Sequence, residues 1–586
     1  MRQWMVAAKK ADFYAIAEKF HVDPVVARII RNREVIGEKN IRIYLGGNLS
    51  DLSDPHQMKD MDRLVEILAQ KIRKQVRIRI IGDYDVDGVT SSHLFLTALR
   101  RVGAKVDVVI PHRIQDGYGL SLHLLQQAKE DGVDTILTCD NGIAAIDEIA
   151  WAKAQKMTVL VTDHHAVPFE EHEGRRTEKK SLADAVVNPH QQDCGYPYKE
   201  LCGAGVAWNV IRVLYENYDM DKREAEDLLD FVAMATVCDV MSLTGENRIL
   251  VKEGLKRIRH TKNIGLQALM QACNVQPENI SAYHFGYVLG PCVNATGRLD
   301  TARHALRLFE TGQETEAEEI ARDLVDLNQE RKELTLQGVE MAKKLCEEGG
   351  YENDPVLVLF LPDVHESIAG LIAGRIREMY NRPVFVLTRG EEGVKGSGRS
   401  TENYSMYENM CGCVELFTKF GGHPMAAGLS LPEENVEKFR RKINENCPLT
   451  VEEVCPDIHI DMAMPVGYAS TELVHQFALL EPFGKDNPSP LFADRNLSIS
   501  RMWVIGKNRN VLRMSVLSEY GQPVPVIFFG DVETLFAYFT EKFGQKEVEN
   551  ALHGRKNRIL FSMVYTAKID FYQGNENLQL EMKYYR

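Results

Sequence analysis

Between residues 76 and 162, four short runs rich in β-branched residues alternate with stretches of helical periodicity: VRIRII (76–81), KVDVVI (105–110), DTILTC (134–139) and MTVLVT (157–162). Helices are expected over 88–101, 120–130 and 144–155. Strands alternating with helices at this spacing predict βαβ units and a parallel sheet, so this region is confined to an α/β fold. In an open sheet of that kind, ligands bind beyond the carboxyl ends of the strands. Three of the four runs end in ionisable side chains. The first leads into Asp83-Tyr84-Asp85-Val86-Asp87-Gly88, the third into Asp140-Asn141-Gly142, and the fourth into Asp163-His164-His165.

Each of these pieces has a simpler explanation when taken alone. Aspartate is a good helix cap, a single Asp after a strand is commonly a turn residue, and adjacent histidines are common on surfaces. Together they converge on one edge of one sheet. Carboxylates gathered there repel one another unless a cation sits among them, and hard divalent ions favour carboxylate oxygens. A mixed Asp/His set suits manganese or magnesium better than a closed structural zinc site.

A chain of 586 residues is too long for one ordinary core. The pattern divides it into an N-terminal helical segment (1–70), the parallel-sheet domain (71–250) and a helical connector (251–350). A smaller α/β domain opening on PVLVLFL (351–450) and a C-terminal β-barrel (451–586) complete it. The barrel is expected from RNLSISRMWVIG, VLRMSVL, VPVIFF and RILFSMVYTAKIDF, which read as short alternating strands. A net charge of −14 excludes a chain basic all over but leaves room for a local basic groove. No apolar run approaches the roughly 18 residues that span a bilayer. The first residues also lack a signal-peptide core. A soluble, cytoplasmic protein with reduced cysteines is therefore expected; Cys411 and Cys413 are too closely spaced for a zinc knuckle. No Walker A sequence occurs, so no ATP requirement is expected.

At this point the motifs match a known family. IGDYDVDGVTSS (81–92), CDNGI (139–143), TDHH (162–165), NPHQ (188–191), LCGAGVAW (201–208) and ATVCDVMSLTGENR (235–248) resemble the DHH phosphoesterases. SDPHQMKDM (53–61) and NATGRLD (294–300) belong to the same resemblance. HESIAGLIAGRIRE (365–378), GSGRS (396–400) and FGGHPMAAG (420–428) resemble that family's DHHA1 domain. LLEPFGKDNPSP (479–490) is similar to the segment that opens its OB-type domain. Within the superfamily, the chain resembles the bacterial single-strand-specific 5′→3′ exonucleases.

The resemblance implies that Asp85, Asp87, Asp140, His164 and Asp239 are metal ligands, with Asp140 bridging two Mn2+ or Mg2+ ions. Asp163 and His165 would orient that set. Asp83 would add a ligand, because smaller relatives carry a histidine where this chain has Ile81; the first metal is then more weakly held. Two metals activate a water and stabilise the leaving oxygen in phosphodiester hydrolysis. The resemblance further implies a 5′-phosphate pocket from Arg113, Arg298, Ser397 and Arg399, with Gly421, Gly422 and His423 along the same cleft. Arginine suits phosphate through forked hydrogen bonds, and the glycines flanking Ser397 are expected to let substrate approach the backbone.

Trp503, Lys507, Arg509, Arg513, Arg555, Lys556 and Arg558 are candidates for single-strand binding on the barrel, whereas Arg175, Arg176, Lys179 and Lys180 are expected in a surface loop. The implied activity releases 5′-mononucleotides from single-stranded DNA in recombination and repair, with a helicase and a single-strand-binding protein as suggested partners. The other readings are a DHH phosphodiesterase acting on short oligoribonucleotides or dinucleotides, a related nuclease preferring RNA, and an inactive DNA-binding scaffold.

Overall fold

The computed structural model describes residues 3–113, 116–117, 119–172, 175–390, 393–506, 509–572 and 574–586. The chain forms two units, one of Leu49–Pro456 and one of Gln3–Asn48 with Asp457–Arg586.

The first unit contains the expected parallel sheet. Its strands are β1 (Arg77–Ile81), β2 (Lys105–Val109), β3 (Thr135–Cys139), β4 (Thr158–Thr162) and β5 (Ala185–Val187), in the order β2-β1-β3-β4-β5. All neighbouring pairs are parallel. The chain leaves β1 to one side for β2 and then crosses to the other for β3, so the switch point lies at β1. Both sheet faces are covered, as parallel sheets require. Ile78, Ile80, Leu137, Leu160 and Val187 face one core, and Ile81, Ile136, Val159, Val161 and Val186 face the other. The arginines that interrupt β1 pair across the sheet: Arg79 is buried and bonds Asp107, its partner in register on β2.

The first of these cores runs without a break from Met58 to Leu324, so the helices after residue 250 share it with the sheet. A helix of 35 residues, Glu314–Glu348, leads from there to a second sheet. That sheet runs Lys419–His423, Ala426–Leu431, Gly393–Arg399, Val384–Gly390, Leu357–Phe360. Its first strand in the chain is parallel to its neighbour and the rest are antiparallel.

In the second unit, strands Phe492–Ile505, Val511–Leu517, Pro523–Phe529, Asn575–Tyr585 and Leu560–Tyr572 close into a ring, because the last pairs with the first. Helices Val532–Phe543 and Gln545–Leu552 fill the span before Leu560. The N-terminal helices up to Asn48 pack on this barrel. Val26, Ile29 and Tyr44 share its core, and Arg33 holds Asp461 through two bonds of 2.6 and 3.1 Å.

One expectation is corrected. The segment around Lys179 is a β-hairpin, Phe169–His172 with Arg175–Glu178, rather than a loop. Lys179 pairs with Glu170 at 3.2 Å; the side chains of Arg175 and Arg176, and Lys507 altogether, lie outside the described residues. All eleven cysteines are free thiols. Among the described residues, no helix is long and apolar enough to cross a membrane.

Candidate metal centre and phosphate pocket

The ends of β1, β3 and β4 bring the expected side chains together. Donor atoms of Asp83, Asp85 and Asp140 lie within 4.8 Å of one another, as do those of Asp87, His164 and Asp239, and those of Asp140, His164 and His165. Asp140 is common to the first and third groups, and its carboxylate lies 3.0 Å from His164 Nε2. The same nitrogen is 3.6 Å from Asp87 and 3.7 Å from Asp239.

Local structure explains how each residue is held. Asp85 caps the helix Val86–Arg101 by accepting from the Gly88 amide at 3.1 Å, so it is a helix cap and a member of the cluster at once. Asp87 accepts the amides of Gly203 and Ala204 at 2.6 and 2.8 Å. These are the first donors of the helix Gly203–Asn217, whose positive end favours a carboxylate. A Cβ on Gly203 would stand 2.7 Å from the Asp140 Cβ, so the LCGAG motif brings a bare helix end against the cluster. Asp140 itself adopts a left-handed backbone, φ 62°, which Asp tolerates better than most residues. Asp239 follows the helix Leu229–Cys238 as its C-cap.

Burial first, and then mutual repulsion, raises three of these carboxylates. Asp83 and Asp140 are pushed well above the usual carboxylate range, by burial and by the Asp85 and Asp87 charges respectively. Asp85 is raised by burial and by Asp87. Burial lowers His164, which favours the neutral imidazole that ligates metals. Among the described residues, Asp83 Oδ1 is buried with no hydrogen-bond partner. A cluster of repelling carboxylates, a neutral imidazole and an orphaned buried oxygen fit divalent cations chemically. Ile81, by contrast, is buried in the hydrophobic core and adds nothing to the cluster.

Asp163 takes a different part from its neighbours. One oxygen accepts the Ile143 amide at 2.9 Å. The other accepts the amides of His164 and His165 and the His165 Nδ1–H, at 2.7, 3.1 and 2.8 Å. Burial alone would raise it, but the His165 hydrogen bond and the two imidazoles hold it below its ordinary value. Burial likewise works to lower His165, yet the bond to Asp163 and the surrounding carboxylates push it up to about 9. Asp163 thus ties the His165 ring and the backbone of residues 143, 164 and 165 together. Asp163→Asn is expected to lower activity by about 10- to 100-fold and to weaken Mn2+ binding in parallel, as loss of an orienting partner usually does. Unchanged metal affinity in a Mn2+ titration would count against that role.

The cations gather next to the Asp83 end. The end of β2, which looked unremarkable in sequence, leads to Arg113. Its guanidinium lies 4.2 Å from the Tyr84 ring centre, and its Nε donates to the Gly297 carbonyl at 3.1 Å. Arg298 donates to the Ser367 carbonyl at 2.6 Å. Burial, together with Arg113, Arg331 and Arg399, depresses Arg298 to about 10, so the site concentrates like charge and favours an anion. The Arg399 guanidinium lies over Gly370, where a Cβ would be 2.9 Å from Nη2 and 3.5 Å from the Ser397 Cβ. A cavity of about 420 Å³ adjoins these groups, lined in part by Arg113, Ser367, Lys395, Ser397 and Lys419.

The two glycines beside Ser397 differ in where they lie. Gly396 borders the cavity through its backbone, whereas Gly398 does not line it. A Cβ at Gly396 would meet Leu387 at 2.4 Å, and one at Gly398 would meet Met406 at 2.6 Å, so their bareness serves core packing. Gly421 and Gly428, cross-strand partners beside Ser397, line the cavity as well. Gly422 and His423 are exposed at the hairpin end.

On the barrel, Trp503 is 37% exposed and pairs in register with Arg513, which is 3.9 Å from Asp570. Arg501, missed in sequence, lies 5.6 Å from the Trp503 ring centre. It also borders Gly554 and so adjoins the exposed Arg555, Lys556 and Arg558. Arg509 is exposed in a turn, with φ 51°.

A parallel sheet whose strand ends carry this carboxylate–imidazole cluster, followed by a smaller α/β domain, defines a DHH phosphoesterase. Residues 77–236 match the DHH family N-terminal domain, 353–447 the DHHA1 domain and 460–584 the RecJ OB domain. The chain belongs to the RecJ family. It is 32% identical to the single-stranded-DNA-specific exonuclease RecJ of Haemophilus influenzae, over 96% of both chains. It is 33% identical to that of Bacillus subtilis over 87% of its own length, spanning 63% of that longer relative. Thermus thermophilus RecJ solved with Mn2+ superimposes with a TM-score of 0.81 at 25% identity, covering 100% of this chain and 79% of that one. The Mg2+ complex of the same protein matches in fold, with a TM-score of 0.75 at 24% identity over 100% and 78% of the two chains.

Proposed function

We propose that this chain is a single-stranded-DNA-specific 5′→3′ exonuclease that hydrolyses phosphodiester bonds and releases 5′-mononucleotides. The observation that carries the reading is the adjacency of two opposite sites. A cluster of carboxylates and imidazoles fit for divalent cations adjoins a set of half-buried arginines fit for a terminal phosphate. Asp83, Asp85, Asp87, Asp140, His164 and Asp239 would hold two ions, Mn2+ or Mg2+. Such ions supply Lewis acidity toward an attacking water and toward the departing oxygen.

The chain's own residues supply the rest. Arg113, Arg298, Arg399 and Ser397 bind the 5′-phosphate and so fix how far the strand enters. The carboxylate cluster then meets the bond next to that end, which sets the polarity. Asp163 holds His165 in one orientation through Nδ1, beside the carboxylate cluster. No protein nucleophile is required. The barrel offers Trp503 with Arg501 and Arg513 as a surface for further unpaired nucleotides. A single-strand exonuclease of this kind would act in recombination and repair, in a bacterial cytoplasm. A helicase that opens duplex ends, and a single-strand-binding protein that keeps them open, would feed it.

End-labelled single-stranded DNA, duplex DNA, RNA and a dinucleotide, each incubated with Mn2+ or Mg2+, test the reading. Mononucleotides released from the 5′ end of single-stranded DNA are expected; preferential dinucleotide cleavage would overturn it. Chelation with EDTA is expected to abolish hydrolysis, and either ion to restore it. Because binding to the native state alone stabilises it, either ion should also raise the melting temperature. Full activity in EDTA would sink the metal assignment.

A further inference from the structure

One helical run passes along the whole centre in three consecutive segments: Ala282–His284, Phe285–Leu289, which is a π-helix, and Gly290–Leu299. One side of it packs closely on the residues that flank the cluster. A Cβ on Gly297 would stand 2.3 Å from the Tyr84 carbonyl oxygen, and one on Gly290 2.3 Å from Cys238 Sγ. Asn294 accepts the amide of Val86, next to Asp85, at 3.2 Å. A Cβ on Gly286 would lie 3.4 Å from Val237. The run thus lies beside Asp83 and Asp85 at one end and beside Asp239 at the other.

Arg298 follows Gly297 and Tyr287 follows Gly286. Eleven residues make about three helical turns and rise about 16 Å, so the two side chains leave the run at similar azimuth. Arg298 belongs to the phosphate pocket. Tyr287 is 71% exposed and stacks on Tyr283, which is 63% exposed, with ring centres 5.1 Å apart and planes 23° from parallel. Val240, directly after Asp239, is 63% exposed and has φ 55°, an unusual conformation for a β-branched residue. Neither tyrosine ring is buried in a core, and the π-helical segment that carries Tyr287 is of a kind common at functional sites.

We propose that Tyr283 and Tyr287 form a stacking platform for bases of the single strand lying 3′ of the bond that is cut. The proposal rests on the exonuclease reading above. A strand held by its 5′-phosphate at Arg298 and cut at the carboxylate cluster must continue past Asp239. The distance of about 16 Å corresponds to about five nucleotides at the duplex spacing of about 3.4 Å, and to fewer in a stretched strand. Every base has a π-face, so such a platform is tolerant of sequence. Bases in a duplex are already stacked on both sides, so the platform also favours unpaired substrate.

The test uses the full chain carrying both Tyr283→Ala and Tyr287→Ala. KM for a long oligodeoxythymidylate is expected to rise about tenfold, the scale of losing base–aromatic stacking. The effect should fade on a trinucleotide too short to reach the pair. The slope of affinity against salt should stay unchanged, because stacking neutralises no phosphate. Tyr283→Phe with Tyr287→Phe keeps the rings and should bind like the parent. Abasic sites at the third to fifth nucleotides should weaken the parent and leave the double alanine variant indifferent. Equal KM for parent and alanine variant on the long substrate, with the parent active, overturns the platform alone. A parent that neither cuts nor binds single-stranded DNA overturns the platform and the exonuclease reading together.

Discussion

Replacing Asp140 by asparagine is expected to lower hydrolysis of single-stranded DNA by about a thousandfold or more, on the scale of removing a principal electrostatic group from a reaction centre. Asp140 belongs to two of the three donor groups and touches His164, the other residue shared by two groups, at 3.0 Å, so it ties the Asp83–Asp85 side of the cluster to the histidine side. Asparagine is a better probe than alanine, because the backbone there is left-handed and Asn accepts that conformation readily. The fold should therefore survive, with an unchanged circular dichroism spectrum.

A second consequence has the opposite sign. Asp140 is buried among Asp83, Asp85, Asp87 and Asp239, all of which repel its charge. Without metal, the variant should melt at a higher temperature than the parent, since one repelling charge has gone. With Mn2+ present, the order should reverse, because the parent gains more from binding. An active Asp140→Asn enzyme, or one whose melting temperature responds to Mn2+ as the parent's does, would remove Asp140 from the centre.

Much of this centre was legible in the sequence, for a physical reason. Parallel strands with β-branched cores announce themselves, and their carboxyl ends share an edge, so Asp83, Asp85, Asp140 and His164 could be gathered without coordinates. Asp239 could not. It caps a helix far along the chain, and only the packing of Leu229–Cys238 against the sheet's first core brings it near His164. Resemblance supplied it, whereas periodicity could not. The glycines show the same limit. GSGRS looks like a phosphate loop, yet it is a strand: Cβ atoms on its two glycines would meet Leu387 and Met406, and Ser397 and Arg399 turn to the opposite side. Gly421 and Gly428 open the cavity only through a cross-strand pairing that no local pattern displays.

The barrel's last strand, Asn575–Tyr585, was also invisible. Its sequence NENLQLEMKYY places only Leu580, Glu581 and Met582 fully inside, so its alternation is short and weak. Long-range placement is harder still: nothing in residues 3–48 signals that they pack with a barrel more than 400 residues later, where Arg33 meets Asp461.

Arg399→Ala is expected to reduce the use of 5′-phosphorylated ends by about thirtyfold, corresponding to about 2 kcal/mol for one partner of a buried charge-assisted pair. The guanidinium is half-buried, and its Nη1 donates to the neighbouring Gly398 carbonyl at 2.7 Å. Burial, with Arg377 nearby, lowers its affinity for its proton, so its charge is already costly without an anion beside it. A terminal phosphate relieves that cost, and its loss should appear mainly in KM. Substrates with a 5′-hydroxyl end should lose much less, because they present no terminal phosphate to the pocket. Arg399→Lys should recover only part of the loss, since an ammonium cannot reproduce a planar fork. Mn2+ affinity should not change, because Arg399 adjoins Ser397 and Gly370 rather than the carboxylates. Equal losses on phosphorylated and hydroxyl ends, or a parallel fall in Mn2+ affinity, would show that Arg399 supports the fold or the metal centre instead of reading the end of the strand.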